Sequence, residues 1–346
     1  MTTTTPLFRR PAVFGLLVPL SLGVLALVVA ISVGIGDLPI PLATTFTAVT
    51  NRLGWTAVAV DRIHETVIWD YRLSRALVAA TCGAGLALSG TILQALLRNP
   101  LAEPYVLGIS AGASTGAVAV VILGLGAGTV SLSAGAFAGA FAAFFFVALL
   151  SNGARGGADR TILAGVAASQ LFNAATSYIV TTTGNAQQAR DVMFWLLGSF
   201  GGVRWPEFVL VFAVVGVGLT ACAGFARVLD AFSFGDEAAA ALGVDVGRVR
   251  IVLFALTAMM TATIVSMVGS IGFVGLVVPH AARFVVGPLH VRLLPAAALA
   301  GAIFMVTADV ASRALIPQQV LPIGVVTALV GVPFFSLILY RFQRAS

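Results

Sequence analysis

Apolar residues in this chain run in long blocks, at about 13–35, 76–97, 105–124, 128–150, 161–182, 207–229, 249–268, 273–287, 294–316 and 322–340, and polar residues collect in the gaps. Most blocks reach the ~20 residues a helix needs to cross hydrocarbon. The pattern predicts about ten membrane spans, the block at 273–287 being the shortest. The fold class is all-α, because only helices and closed barrels satisfy every backbone group in lipid, and no segment alternates as a barrel strand does. Residues 1–346 read as one polytopic transmembrane domain, and an even number of spans puts both termini on one side.

Composition agrees: 59% of residues are hydrophobic, the mean hydropathy is +1.05, and 37 residues are glycine. Arg9 and Arg10 precede the first block as they would in a signal peptide, but the block is long for one and no clean small-x-small site follows, so a retained span is expected. All 19 basic residues are arginine; with the N-terminus in the cytoplasm twelve fall inside and seven outside, the bias that the positive-inside rule favours. The net charge of +6 is read as this topology signal, with the lipid bilayer and no nucleic acid as partner. Cys82 and Cys222 lie inside apolar blocks as small hydrophobes, and His64, His280 and His290 are too dispersed for a metal site. No lysine is present to serve a Walker A loop, there is no H-E-x-x-H pair, and the one G-x-S-x-G, at residues 108–112, opens an apolar helix with no strand before it. Catalysis by this chain is not expected.

The stretch GDEAAAALGVDVGRVR, residues 235–250, concentrates charge in a chain that is only 9% charged. Asp236 and Glu237 fall in the first turn of a short helix, Gly243 supplies its stop, and Asp245 is placed to cap the next span. The segment is too short and polar to cross the membrane and lies on the expected cytoplasmic side. An interfacial linker would look the same as a helix built to enter a groove on a soluble partner.

Five ordered stretches carry a resemblance: YRLSRALVAATCGAGLALSGTILQALLRNPLAEPYVLGISAGAS (71–114), FWLLGSF (194–200), residues 235–250, GSIGFVGLVVPHAAR (269–283) and LPIGVVTALVGVPFF (321–335). From about residue 15 onward the chain resembles the FecCD family, permease subunits of type II ABC importers for ferric siderophores, haem and cobalamin. The resemblance implies that residues 235–250 are coupling helices, with Gly235, Asp236, Glu237, Ala240, Leu242, Gly243, Val244 and Arg248 at the ATPase contact. It also implies that Arg72, Arg75 and Arg313 meet acidic residues of a substrate-binding protein, with Arg204 on the same side but outside the motifs. The implied partners are two cytoplasmic ABC ATPase subunits, which carry ATP and Mg, a second permease subunit, identical or homologous, and the binding protein. No cofactor is expected on this chain. The implied location is the bacterial cytoplasmic membrane with both termini inside, and the implied cargo is an iron-siderophore or related chelate, with haem or cobalamin as alternatives. Leu289 and Val291 depart from the family, where an acid and an arginine are common.

Helix breakers suggest the pathway. Pro100, Pro104, Gly108, Gly112 and Gly116 interrupt or thin spans 2 and 3, as helices lining transporter cavities do. Gln94, Asn99, Gln170 and Asn173 are amides at or near the ends of apolar helices, candidates for the path or for helix-to-helix bonds. The resemblance sends the path along span 5 and a short helix at about 188–197, with Thr181 and Thr182 near a gate. Gly90–Pro100 and Gly269–Pro279 share spacing and opening residues, a hint of an inverted repeat of spans 2–5 and 7–10. An ion-coupled secondary transporter would need a carboxylate relay inside the membrane, and Asp and Glu are nearly confined to loops.

Overall fold

The computed structural model describes residues 11–36, 38–126, 129–151, 157–183, 185–316 and 319–343. Among them are fifteen α-helices, one π-helical turn, one 3₁₀ turn and no strand beyond a single bridge. The helices are α1 (Pro11–Gly34), α2 (Leu42–Arg52), α3 (Arg62–Thr66), α4 (Ser74–Leu96), α5 (Ile109–Val121), α6 (Leu132–Leu150), α7 (Gly157–Thr183), α8 (Ala186–Leu196), α9 (Trp205–Gly224), α10 (Ala226–Phe232), α11 (Asp236–Ala241), α12 (Val246–Val268), α13 (Val274–Val286), α14 (His290–Ala314) and α15 (Ile323–Gln343). The π-helical turn Val67–Leu73 joins α3 to α4, and the 3₁₀ turn Pro104–Leu107 precedes α5. Seven helical runs are long and apolar enough to cross a membrane, and α5, α13 and α15 are shorter apolar helices, so each of the ten apolar blocks holds one helix.

α4 is the centre: 89% of its apolar window is buried, against 11% for α1. It packs on α12, α13 and α14, while α12 packs in turn on α5 and α6. This exchange pairs α4–α7 with α12–α15 as two halves. The register differs from the one expected. Gly90 lies inside α4 whereas Gly269 ends α12, so the shared Gly and Pro spacing is fortuitous. The positions that correspond are Gly108 and Phe273, both left-handed, at φ of 70° and 69°, each opening the shortened helix that follows.

Lipid tails are as apolar as leucine, so helices here associate by close approach rather than by escape from water. Glycine makes the approach possible. A Cβ added at Gly83 would strike the Gly301 carbonyl, one at Gly90 the Gly275 carbonyl, one at Gly112 the Gly139 carbonyl and one at Gly116 the Gly135 carbonyl. Gly90→Leu should therefore separate α4 from α13 and cost about 1–3 kcal/mol, read as a lowered thermal midpoint in detergent. Gly216→Leu, where no atom lies within 4 Å of an added Cβ, should leave the midpoint unchanged.

Candidate functional site: two membrane faces joined by a broken-helix centre

One face carries α10 and α11. Gly235, at φ 110°, turns the chain between them, and α11 ends before Gly243 at φ 83°, the stop expected from sequence. Asp245 caps α12 by accepting from the Arg248 amide at 3.1 Å, also as expected, and its carboxylate pairs with the Arg248 guanidinium at 3.1 Å. Asp236 is not the free surface acid its position suggested. It pairs at 2.6 Å with Arg250, whose side chain is 6% exposed and lies near the Phe232 ring. A second tie joins α10 to α14: Asp230 accepts from the His290 amide at 2.9 Å and lies 2.7 Å from His290 Nδ1. With Leu289 and Val291 exposed beside it, this His290 contact holds the start of α14. Anchored in this way, α11 presents Glu237, Ala240, Leu242 and Gly243 outward, with Val244 half-buried. Phe234, 83% exposed, stands beside Leu242 at 74%. Sequence reasoning passed over Phe234; an aromatic residue between Ser233 and Gly235, directly before the acids of a membrane-protein loop, was the available signal.

The centre is built from the two irregular turns. Tyr105 Oη donates to the Ile271 carbonyl at 2.8 Å and accepts from the Ile271 amide at 2.7 Å. Ser110 Oγ meets Ser270 Oγ at 2.9 Å. The Glu103 carboxyl accepts from the Phe273 amide. Gln94, expected as a candidate for the pathway, is buried and donates to the Gly275 and Leu276 carbonyls at 3.2 and 3.3 Å. It fastens α4 to α13 instead. Asn99 and Pro100 form the turn after α4, where Asn99 Oδ1 accepts the Leu101 amide at 2.9 Å and neighbouring Arg98 reaches toward Gly235.

α7 turns an unpartnered side outward. Gln170 and Asn173 are exposed on it, together with Leu163, Val166 and Tyr178. Thr181 and Thr182 are exposed at its end, their hydroxyls bonded back to the Ser177 and Tyr178 carbonyls at 2.8 and 2.6 Å. The short helix expected at 188–197 is α8, opened by a capping box of Asn185 and Gln188 and showing Met193 and Phe194 outward.

The opposite face holds the three arginines, and their arrangement corrects the sequence reading. The spacing of Asp309 one turn before Arg313 suggests an intrahelical pair, and that pair forms; what differs is that the same acid also holds Arg75, so the guanidiniums are not left with few acids beside them. Asp309, fully buried, pairs with Arg75 at 2.8 Å and with Arg313 at 3.0 Å. Arg313 also donates to Ser32 Oγ at 2.8 Å, and Arg72 to the Val33 carbonyl at 3.1 Å and to the Leu38 carbonyl. Together they clamp the end of α1 to α4 and α14. Above the clamp is a cavity of about 250 Å³ whose described lining includes Arg72, Arg75, Arg204, Arg313 and Tyr71 and, among the described residues, no acid. Arg204 stacks on the Tyr71 ring at 3.9 Å. Arg204 was expected to stand outside this group; the fold places it within.

Such an architecture defines a multi-pass membrane permease with a broken-helix core. The chain belongs to the FecCD transport family, which it matches over residues 24–341. It is 40% identical to the cobalamin import system permease protein BtuC of Halobacterium salinarum over 90% of this chain and 82% of that one. It is 36% identical to the Fe(3+) dicitrate transport system permease protein FecD of Escherichia coli over 84% and 91%. It is also 36% identical to the hemin transport system permease protein HmuU of Yersinia pestis over 90% and 91%. Among solved structures it is similar to an inward-facing metal-chelate type ABC transporter, with a TM-score of 0.82 at 30% identity over 94% of this chain and 99% of that one.

Removing the buried carboxylate would strand two guanidiniums. Asp309→Ala should cost about 3–5 kcal/mol, seen as a large fall in thermal midpoint, and a second change of Arg75 to Met should restore part of it. Unchanged stability in Asp309→Ala would remove the clamp.

Proposed function

We propose that this chain is the permease subunit of an ATP-driven importer carrying an iron-siderophore or related metal chelate, with haem or cobalamin as the alternative cargo. The observation that carries the reading is the α10–α11 pair. It is fixed to the body by Asp236 with Arg250 and Asp230 with His290, yet keeps Phe234 and Leu242 in the open. An apolar pair at the tip of a rigid protrusion suits insertion into a cleft of a soluble partner, here each of two ATPase subunits that bind ATP and Mg. This face is then cytoplasmic, as arginine placement favours, and both termini lie on the same, cytoplasmic side of the bacterial cytoplasmic membrane. The exposed side of α7, with Gln170, Asn173, Thr181 and Thr182, and the α8 residues Met193 and Phe194 face a path shared with a second permease subunit. Small and weakly polar groups along it suit a large ligand that must not be held tightly. The names of the relatives, which span cobalamin, ferric citrate and hemin, support a chelate of this size class.

Reconstitution with the cognate ATPase and binding protein tests the reading. ATP-dependent uptake of a labelled ferric siderophore into proteoliposomes is expected, with haem and cobalamin as comparison cargoes. Uptake driven by an ion gradient with no ATPase present would overturn it. Within the same assay, Glu237→Lys with Leu242→Asp should cut ATPase co-purification about tenfold or more at unchanged thermal midpoint. Asp236→Lys should lower the midpoint as well, because it strands Arg250.

The arginine-lined cavity on the other face is proposed as the seat for a carboxylate of the binding protein, its guanidiniums held in place by Asp309. Arg204→Ala leaves the clamp intact and should slow association of the binding protein at low salt, with a smaller difference at high salt. Equal association rates at low salt would exclude Arg204 from docking.

A further inference from the structure

We propose that α2 is an interfacial anchor, lying in the lipid headgroup region with Leu42, Phe46, Leu53 and Trp55 turned into the acyl boundary.

Topology places α2 at a membrane surface. It lies between the end of α1 and the start of the α3–α4 run, two adjacent spans, and so sits on the face that carries the arginine clamp. Leu42, Phe46, Val49 and Leu53 recur at i, i+4, i+7 and i+11, which is one stripe of a helix. Three of its four members point away from the protein, Leu42 at 74% exposed, Phe46 at 71% and Leu53 at 49%, with Trp55 just beyond at 75%, while Val49 leans half-buried against the cluster of Ile40, Ala48 and Ile68. The side packed inward is the less apolar one, carrying Thr45, Ala48 and Thr50. A surface helix facing water has the opposite arrangement. Leucine, phenylalanine and tryptophan on the free side are the residues of an interfacial helix and an aromatic belt.

The polar groups of the segment are turned onto the segment itself. Thr45, Thr47 and Thr50 return their hydroxyls to the Pro41, Ala43 and Phe46 carbonyls. Asn51 closes the next loop by donating to the Val58 carbonyl at 2.6 Å and accepting from Thr56 Oγ1 at 2.7 Å. Arg52 pairs with Glu65 at 2.8 Å. A surface with its donors so occupied costs little to set against lipid. The patch also continues the lipid-facing side of α1. Leu27, Ile31 and Leu38 are exposed along the way, and Leu42 lies beside Gly34, 3.2 Å from where a Cβ there would sit. A soluble partner drawn to this face by charge would meet the arginine cavity, not this stripe. The anchor has a mechanical consequence: Arg72 and Arg313 bind carbonyls of the segment between α1 and α2, so the depth of α2 sets the height of that cavity.

The test is the depth of α2 in the full chain, reconstituted into phosphatidylethanolamine and phosphatidylglycerol vesicles. Phe46→Cys is labelled with bimane and quenched either by lipids carrying a nitroxide near the headgroup or by aqueous iodide. The expected result is quenching by the nitroxide lipid at least about twofold stronger than by iodide, with the reverse order at Glu237→Cys on the other face. Stronger iodide quenching at position 46 overturns the proposal. So does protection from iodide that arises only when the binding protein is added, which would make the stripe a protein contact. The same reading at Leu42→Cys and Leu53→Cys decides the matter should Phe46→Cys fail to fold, and the result does not depend on the cargo or on the ATPase.

Discussion

Close backbone contact between helices is the condition on which this structure rests. In hydrocarbon, dispersion and polar contacts must do what escape from water does in a soluble core, and both fall off steeply with distance. α4 satisfies the condition on several sides, meeting α14 through Gly83 and Gly301 and α13 through Gly90 and Gly275. α5 and α6 meet through Gly112 with Gly139 and Gly116 with Gly135. Gln94 can bond the α13 carbonyls only because the two helices are already that close.

Within that framework the charges that leave water do so in pairs. On one face Asp309 serves Arg75 and Arg313, and on the other Asp236 serves Arg250. A lone charge at such depth would be costly; Asp309 with Arg75 and Asp236 with Arg250 cross between elements, so there neutralisation and alignment come from the same contact, while Asp309 with Arg313 is one turn within α14. The residues left exposed, Phe234, Leu242 and Glu237 at one face and the rim of the arginine cavity at the other, stand on supports that these pairs make rigid.

Between the faces the chain gives up regular helix where its two halves meet. Left-handed Gly108 and Phe273 shorten α5 and α13; the freed backbone is satisfied by Tyr105 and Glu103 from across the junction, and the Ser110 hydroxyl bonds that of Ser270. Irregular backbone at this depth is tolerable because it is enclosed by protein.

The amino-acid sequence by itself determined whatever depends on a single stretch of chain. Hydrocarbon thickness makes each span a run of about 20 apolar residues, so the helices could be read one by one. The stop at Gly243 and the cap at Asp245 are contacts within a few positions and were legible for the same reason. So was the pairing of Asp309 with Arg313 one turn along the same helix, whereas the partners that polar residues find across elements were not. Asp236 lies 14 positions from Arg250, Gln94 lies 181 from Gly275, and Arg75 lies 234 from Asp309. Nothing in the local pattern distinguishes an acid held by a buried arginine from one offered to a partner, or a glycine in contact with another helix from one facing lipid. The tertiary structure decided those roles, because only packing brings distant residues within the few ångströms over which ion pairs, hydrogen bonds and dispersion act.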